Sequence, residues 1–234
     1  MLWHGPRGGW VWPVDAIAEW SRAQQRVIDL VVDLAPEQAQ RRVPACPDWT
    51  VRDLLSHMVG LGVDVVAGDE PDDHNETWTG RQVEARRDHD VAALVVEWQA
   101  VAEPLRDWMR ANTARPLNDA LIHEQDLRGA LGVPGGRDAE GWTAIRERFT
   151  GRLAPRVADL PPIALVGDTF TWVSRGSVED AAVVVRASDF DLTRALVTRR
   201  SAAQLRSWTA RGDVTPYLDA FAMLGPLPAE DLTE

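Results

Sequence analysis

Three residues in this chain could do chemistry together: His57, Asp119 and His123. Asp119 and His123 are four positions apart, so on a helix they stand one turn from each other on the same face. His57 lies inside an apolar stripe formed by Leu54, Met58, Leu61 and Val65. Two imidazoles and a carboxylate that converge in a helical interior can hold a divalent cation and leave coordination positions open. Such openness suits catalysis, because structural zinc is usually closed by four protein ligands. Zinc, nickel, iron and copper all suit this donor set. Each residue also has a plainer role. His57 could be a hydrogen-bonded core histidine, and Asp119 could simply pair with His123 across a helical turn. A buried carboxylate needs some partner, since unpaired burial costs several kcal/mol.

Asp126 shares the face of Asp119 and His123. It is the candidate for the catalytic machinery beyond the ligands, where it would orient a ligand imidazole. The alternative is an ion pair with Arg128 or Arg52. Glu124 falls on a different face and is expected to be solvated. Cys46, the one cysteine, excludes an intrachain disulfide. It reads as a small buried hydrophobe, with a nucleophile as the rarer possibility. Trp49 and Trp78 could wall a pocket or pack the end of a bundle.

The elements that must position these residues are helical in the first half. Pro13 to Leu34 carries Ile17, Trp20, Val27, Val31 and Leu34 at helical steps. The segment from Val43 to Thr50 reads as a rigid connector, because each proline disfavours helix at the residue before it. Thr50 and Asp53 form the pattern of a capping box opening the His57 helix. Gly68 to Asn75 is an acidic loop without the alternation of a calcium-binding loop. A third helical stretch runs from about Trp78 to Thr113, restarting at Asp88 or Asp90 and kinked at Pro104. A fourth runs from about Arg115 to Leu131, with Pro116 in its first turn and Gly132 after its end.

Four helices with short links predict an antiparallel bundle over residues 1–136. Residues 137–234 predict a smaller α+β domain. Its elements are a helix from Asp138 to about Leu160, strands 163–166, 169–174 and 181–186 with hairpin signals at Gly167-Asp168 and Arg175-Gly176-Ser177, helices capped by Ser188 and Ser201, and a last helix from Asp213 to Leu224.

Bulk properties narrow the function classes. With 234 residues and 45% hydrophobic content, the chain has ample material for a core. A net charge of −11 argues against nucleic acid or an anionic membrane as partner. All 25 basic residues are arginine, which excludes a Schiff-base or phosphate-loop lysine and points to GC-rich coding. No segment reads as a signal peptide or a membrane span, so a cytoplasmic protein is expected, with a monomer as the default. His4 sits in an N-terminal extension and is a poor ligand candidate. Arg186, Arg194, Arg199 and Arg200 concentrate positive charge that could take an anionic small molecule or pair with Asp189 and Asp191.

The run Pro44-Ala-Cys-Pro-Asp-Trp-Thr-Val-Arg-Asp-Leu-Leu-Ser-His57 resembles the "cPgWtvrdllaH" signature of the mycothiol-dependent maleylpyruvate isomerase-like family. That family belongs to the DinB-like superfamily of metal-binding four-helix bundles. Asp119-Ala-Leu-Ile-His123-Glu-Gln-Asp126-Leu-Arg-Gly-Ala-Leu-Gly132 resembles its second signature, "E-x-x-x-H-x-x-D-l-r-x-A-l-G", and Trp78, Val83 and Arg86 fit a "W-x-x-x-x-V-x-x-R" element between them. The resemblance implies a DinB-like bundle followed by an α+β domain. It also implies a divalent metal, usually zinc, on His57, His123 and Asp119, with mycothiol as co-substrate and a small acidic electrophile as substrate. The arginine-only composition agrees with an actinobacterial source, the group that makes mycothiol. Two departures stand out: Asp119 replaces the family's usual Glu, and Asp48 replaces the Gly before Trp49. An isomerase or a transferase is the enzyme implied. A metal-dependent hydrolase, or a metal- or ligand-binding protein of the same fold without turnover, are the alternatives.

Overall fold

The computed structural model describes residues 15–71 and 75–234, in two compact units. Among the described residues, the first comprises those up to Gly141 with Glu234, and the second Trp142–Thr233. His4, the start of the first predicted helix and the middle of the acidic loop lie outside the described residues.

The first unit is built on four long helices: α1 (Ala16–Val31), α3 (Val51–Ala67), α5 (Val91–Ala111) and α6 (Pro116–Leu131). Each packs on two others, α1 on α5 and α6, and α3 on α5 and α6, which closes a four-helix bundle. Their apolar stripes fill its centre with Trp20, Val27, Leu54, Leu55, Leu94, Trp98, Leu105, Leu117 and Leu121, all buried. Trp20 and Trp98 meet edge to face at 6.4 Å.

Helix boundaries follow local chemistry. Asp15 and Asp90 cap α1 and α5 by accepting from Ala18 and Ala93 backbone N–H at 3.0 and 2.8 Å. Pro116 opens α6, and Gly132 closes it in the left-handed region at φ 69°. The stretch expected from 78 to 113 with a restart at Asp88 or Asp90 is two helices, α4 (Glu76–Glu84) and α5, because the chain turns at 85–90 and Asp90 restarts it. The connector expected at 43–50 is a short antiparallel pair, β1 (Arg42–Val43) with β2 (Cys46–Thr50). The prolines suit its turn and edge rather than abolishing it. A one-turn helix α2 (Pro36–Ala39) precedes the pair.

Glu124 corrects the sequence expectation most sharply. It is fully buried, held by Arg26 Nε and Nη2 at 2.9 and 2.8 Å and by Arg128 Nε at 3.0 Å. The reason is that α6 lies between α1 and α3, so twelve of its sixteen residues are buried. Its second polar face meets α1, not water.

In the second unit, α7 (Gly141–Arg156) leads to a four-stranded sheet in the order β4-β3-β5-β6. β3 (Ile163–Val166) and β4 (Thr171–Val173) form the hairpin expected at Gly167-Asp168. β5 (Val183–Arg186) instead runs parallel to β3, so Arg175-Gly176-Ser177 begins a crossover and not a second hairpin. The edge strand β6 (Thr209–Arg211) carries no apolar alternation and was not foreseen. Ser188 and Ser201 cap α8 (Asp189–Leu196) and α9 (Ala202–Ser207) as expected. The last predicted helix is only a 3-10 turn at Thr215–Tyr217 and the short α10 (Leu218–Phe221). Arg194, Arg199 and Arg200 are buried, with Arg200 on Asp191 at 2.8 Å, and only Arg186 of that group is exposed.

Arg26→Ala should lower unfolding stability by about 3 kcal/mol, because it strips a buried carboxylate of its bidentate partner. Denaturant unfolding checks this; a loss below about 0.5 kcal/mol would show that Arg128 alone suffices for Glu124.

Candidate metal centre

The centre grows from two helices. On α3, Thr50 accepts from the Asp53 N–H at 3.1 Å and Asp53 returns the bond to the Thr50 N–H at 3.0 Å, the capping box the sequence shows. Burial alone would raise the Asp53 carboxyl, but these Thr50 bonds and Arg52 hold it below the ordinary aspartate value. The box fixes where α3 starts and therefore where His57 projects, two turns further on. α6 packs beside α3 and brings Asp119 and His123 to it.

All three residues meet. Asp119 Oδ1 lies 3.3 Å from His57 Nε2 and 3.4 Å from His123 Nε2. The two imidazole rings stand edge to face at 5.2 Å. The shorter aspartate thus reaches both rings from α6. One donor atom from each of the three lies within 4.8 Å of the others, close enough to share a cation. The histidine side chains are 5% and 11% exposed, and Asp119 17%, so the cluster opens at the carboxylate.

The far nitrogens of both rings are committed. His123 Nδ1 lies 2.8 Å from Asp126 Oδ2, and a carboxylate only accepts, so Nδ1 carries the proton. His57 Nδ1 lies 2.7 Å from Gln82 Oε1, while Gln82 Nε2 donates to Asp64 Oδ2 at 2.7 Å. The Gln82 amide is oriented by that second bond, so its oxygen faces His57 and Nδ1 again donates. Each neutral ring then presents a bare Nε2 lone pair to a carboxylate oxygen. Acceptors facing acceptors repel unless a cation or added protons sit among them. The donor set therefore fits a divalent cation on chemistry as well as distance.

Without a cation, protons take that role. Burial pushes His123 down, but the Asp119 charge and the bonds with Asp119, Asp126 and Cys46 outweigh it and hold the ring well above the ordinary histidine value. Burial likewise pushes the Asp119 carboxyl up, and His123 and His57 reverse this and hold it far below the usual carboxylate range.

Asp126 is buried and pairs with His123, whereas Arg128 is on Glu124 and Arg52 on Asp53 and the carbonyls of residues 86, 87 and 89. Cys46 is half-buried, its Sγ 3.9 Å from Asp126 Oδ2, in a second overlapping group with His123 and Asp126. The Trp49 ring lies 5.0 Å from His57 and walls that side, while Trp78 is buried and donates to the Asp69 carbonyl as packing at the end of α3. Sequence reasoning missed Gln82, Asp64 and the placement of Cys46. Asp64 had a signal, standing seven residues after His57 on one helix face; Gln82 had none.

Cation uptake at pH 7 should release about one proton, the one on His123, read by calorimetry in buffers of different ionisation enthalpy. Affinity should climb with pH until it passes the raised His123 value. The sign for the cation-free protein is opposite: the charged ring stabilises fully below about pH 6.5 and that contribution fades as pH rises through the raised value. Uptake with no proton release at pH 7 would contradict the arrangement.

Residues 20–121 match the sequence family described as "Mycothiol maleylpyruvate isomerase N-terminal domain". Comparison with curated proteins finds no match. Among solved structures, one described as the mycothiol-dependent maleylpyruvate isomerase superposes with a TM-score of 0.57 at 11% identity, covering 79% of this chain and 88% of that chain. A histidine-to-alanine mutant of the mycothiol-dependent maleylpyruvate isomerase superposes with a TM-score of 0.55, at the same 11% identity and the same coverage of 79% and 88%. At that identity the likeness establishes the fold. Residues 20–121 thus match the model of that N-terminal domain, and the chain shares the fold of those solved structures.

Proposed function

We propose that this protein is a divalent-metal-dependent enzyme that uses a low-molecular-weight thiol, mycothiol, on a small acidic electrophile. The observation that supports this most is the cluster of His57, Asp119 and His123, three acceptors aimed at one point, in a bundle whose residues 20–121 match a family named for a mycothiol-dependent isomerase. His57 Nε2, His123 Nε2 and the Asp119 carboxylate would hold the metal, with zinc as the expected ion. When bound, the metal supplies a Lewis acid that lowers the pKa of a coordinated thiol into the neutral range.

The protein's own groups do the rest. Asp126 keeps the His123 proton on Nδ1, which leaves Nε2 available and steadies the ring. Trp49 covers the His57 side and limits water. The opening at Asp119 is the side from which small molecules would arrive. In the isomerase version, the thiolate forms a C–S bond to a cis double bond conjugated to a carbonyl. Rotation about the resulting single bond follows, and elimination breaks the C–S bond to give the trans product and return the thiol. In the transferase version the adduct is released. A cytoplasmic monomer in a mycothiol-making cell is the setting this reading implies.

Cobalt-loaded protein tests it, because a thiol that reaches the metal changes the visible spectrum. The expected result is a spectral shift on thiol addition, with thiol-dependent conversion of a cis-configured unsaturated keto acid that is abolished in Asp119→Ala. An unchanged spectrum at millimolar thiol contradicts the reading, and turnover without thiol replaces it with hydrolysis by an activated water.

A further inference from the structure

A chain of two hydrogen bonds runs behind the metal candidate, from Asp64 through Gln82 to His57. Asp64 and His57 share one face of α3, two turns apart. Gln82 comes from α4 and spans them with a single amide. The orientation of that amide is dictated at one end. Gln82 Nε2 sits 2.7 Å from Asp64 Oδ2, where only an N–H group is tolerated. Gln82 Oε1 must then face His57 Nδ1, also at 2.7 Å.

The packing is specialised for this reach. Gly60 lies on α3 between His57 and Asp64, and a Cβ there would stand 2.6 Å from Gln82 Cβ and 2.8 Å from Arg86 Nη1. A glycine inside a helix costs about 1 kcal/mol relative to alanine. Here it lets α4 approach closely enough for one amide to touch both partners. Arg86, in the turn just after α4, anchors the end of that helix: its Nη1 donates to the Gln82 carbonyl at 3.1 Å, and its Nε and Nη2 bind Glu97 at 3.0 and 2.6 Å. Gln82 is buried, so no water competes for its bonds.

We propose that Gln82, oriented by Asp64, is a positioning residue that locks His57 in its Nδ1–H tautomer, so that the bare Nε2 faces Asp119 and His123 before any cation arrives. The inference deepens the metal reading and rests on it for its purpose, although the tautomer itself exists without metal. A carboxylate directly on the histidine, as Asp126 is on His123, would do the same with a charge. The Asp64–Gln82 relay sets the tautomer while keeping that charge farther from the metal candidate. The two rings are thus prepared alike by chemically different partners.

The test uses full-length protein and two isosteric changes. In Asp64→Asn the side chain can donate or accept, so the Gln82 amide loses its fixed orientation while packing is kept. In Asp64→Asn/Gln82→Glu the net charge returns to that of the wild type, and the new carboxylate can only accept from His57. Long-range proton–nitrogen NMR on metal-free protein, at a pH where the ring is neutral, reads the tautomer. A chelator competition titration reads zinc affinity. The expected result is Nδ1–H in wild type, a mixed tautomer with zinc bound about 10-fold more weakly in Asp64→Asn, and recovery of both in the double variant. A ring that stays Nδ1–H in Asp64→Asn, or is Nε2–H in wild type, overturns the inference while leaving the metal reading intact. Wild type that shows Nδ1–H yet binds no zinc sinks the metal reading and leaves the tautomer lock standing.

Discussion

One buried point of mutual repulsion governs this structure. Asp119 Oδ1 lies 3.3 and 3.4 Å from the Nε2 atoms of His57 and His123, where neutral rings with Nδ1–H would turn lone pairs toward the carboxylate. Such a cluster is costly in a low-dielectric interior unless positive charge joins it. Everything around it removes the easy escapes. Neither ring can turn its proton inward without breaking a bond on its far side, to Asp126 or to Gln82. In the metal-free protein the proton on His123 neutralises part of the strain, and a divalent cation would neutralise more of it.

Holding that point demands more of the bundle than apolar packing. α3 must start at a fixed register, which the Thr50–Asp53 box sets. α6 must be polar on two faces, because it offers Asp119, His123 and Asp126 toward α3 and Glu124 toward α1. Arg26 of α1 answers the second demand by pairing with the buried Glu124, which Arg128 also holds from within α6, so α6 is tied to α1 by an ion pair and not by leucines alone. α4 adds the third support, reaching over Gly60 to place an amide behind His57.

Much of this was legible in the sequence where a local rule applies. The cap at Thr50, the proline and glycine that bound α6, and the four-residue step from Asp119 to His123 all rest on short-range geometry, and each appears in the structure where the sequence places it. The rest depends on which helix lies opposite. Glu124 looks solvated on a helical wheel because its partner, Arg26, is 98 residues away in the chain. Gln82 carries no motif, and its role exists only because α4 crosses α3 at Gly60. In the second unit, Arg175-Gly176-Ser177 has the residues of a hairpin turn, but whether a strand returns to its predecessor or skips it is decided by the sheet and not by the turn. Of the arginines expected to take an anion or to pair with Asp189 and Asp191, Arg200 does pair with Asp191, but its burial follows from the packing of the unit and not from any local rule.

The most direct measurement is the metal content of purified protein, by elemental analysis of the wild type, His57→Ala, Asp119→Ala and His123→Ala. The account predicts about one equivalent of zinc or another transition metal in the wild type and its loss in all three variants. A wild type that is metal-free and cannot be loaded with zinc or nickel would contradict it, and would make the two histidines protonated partners of a buried aspartate and nothing more.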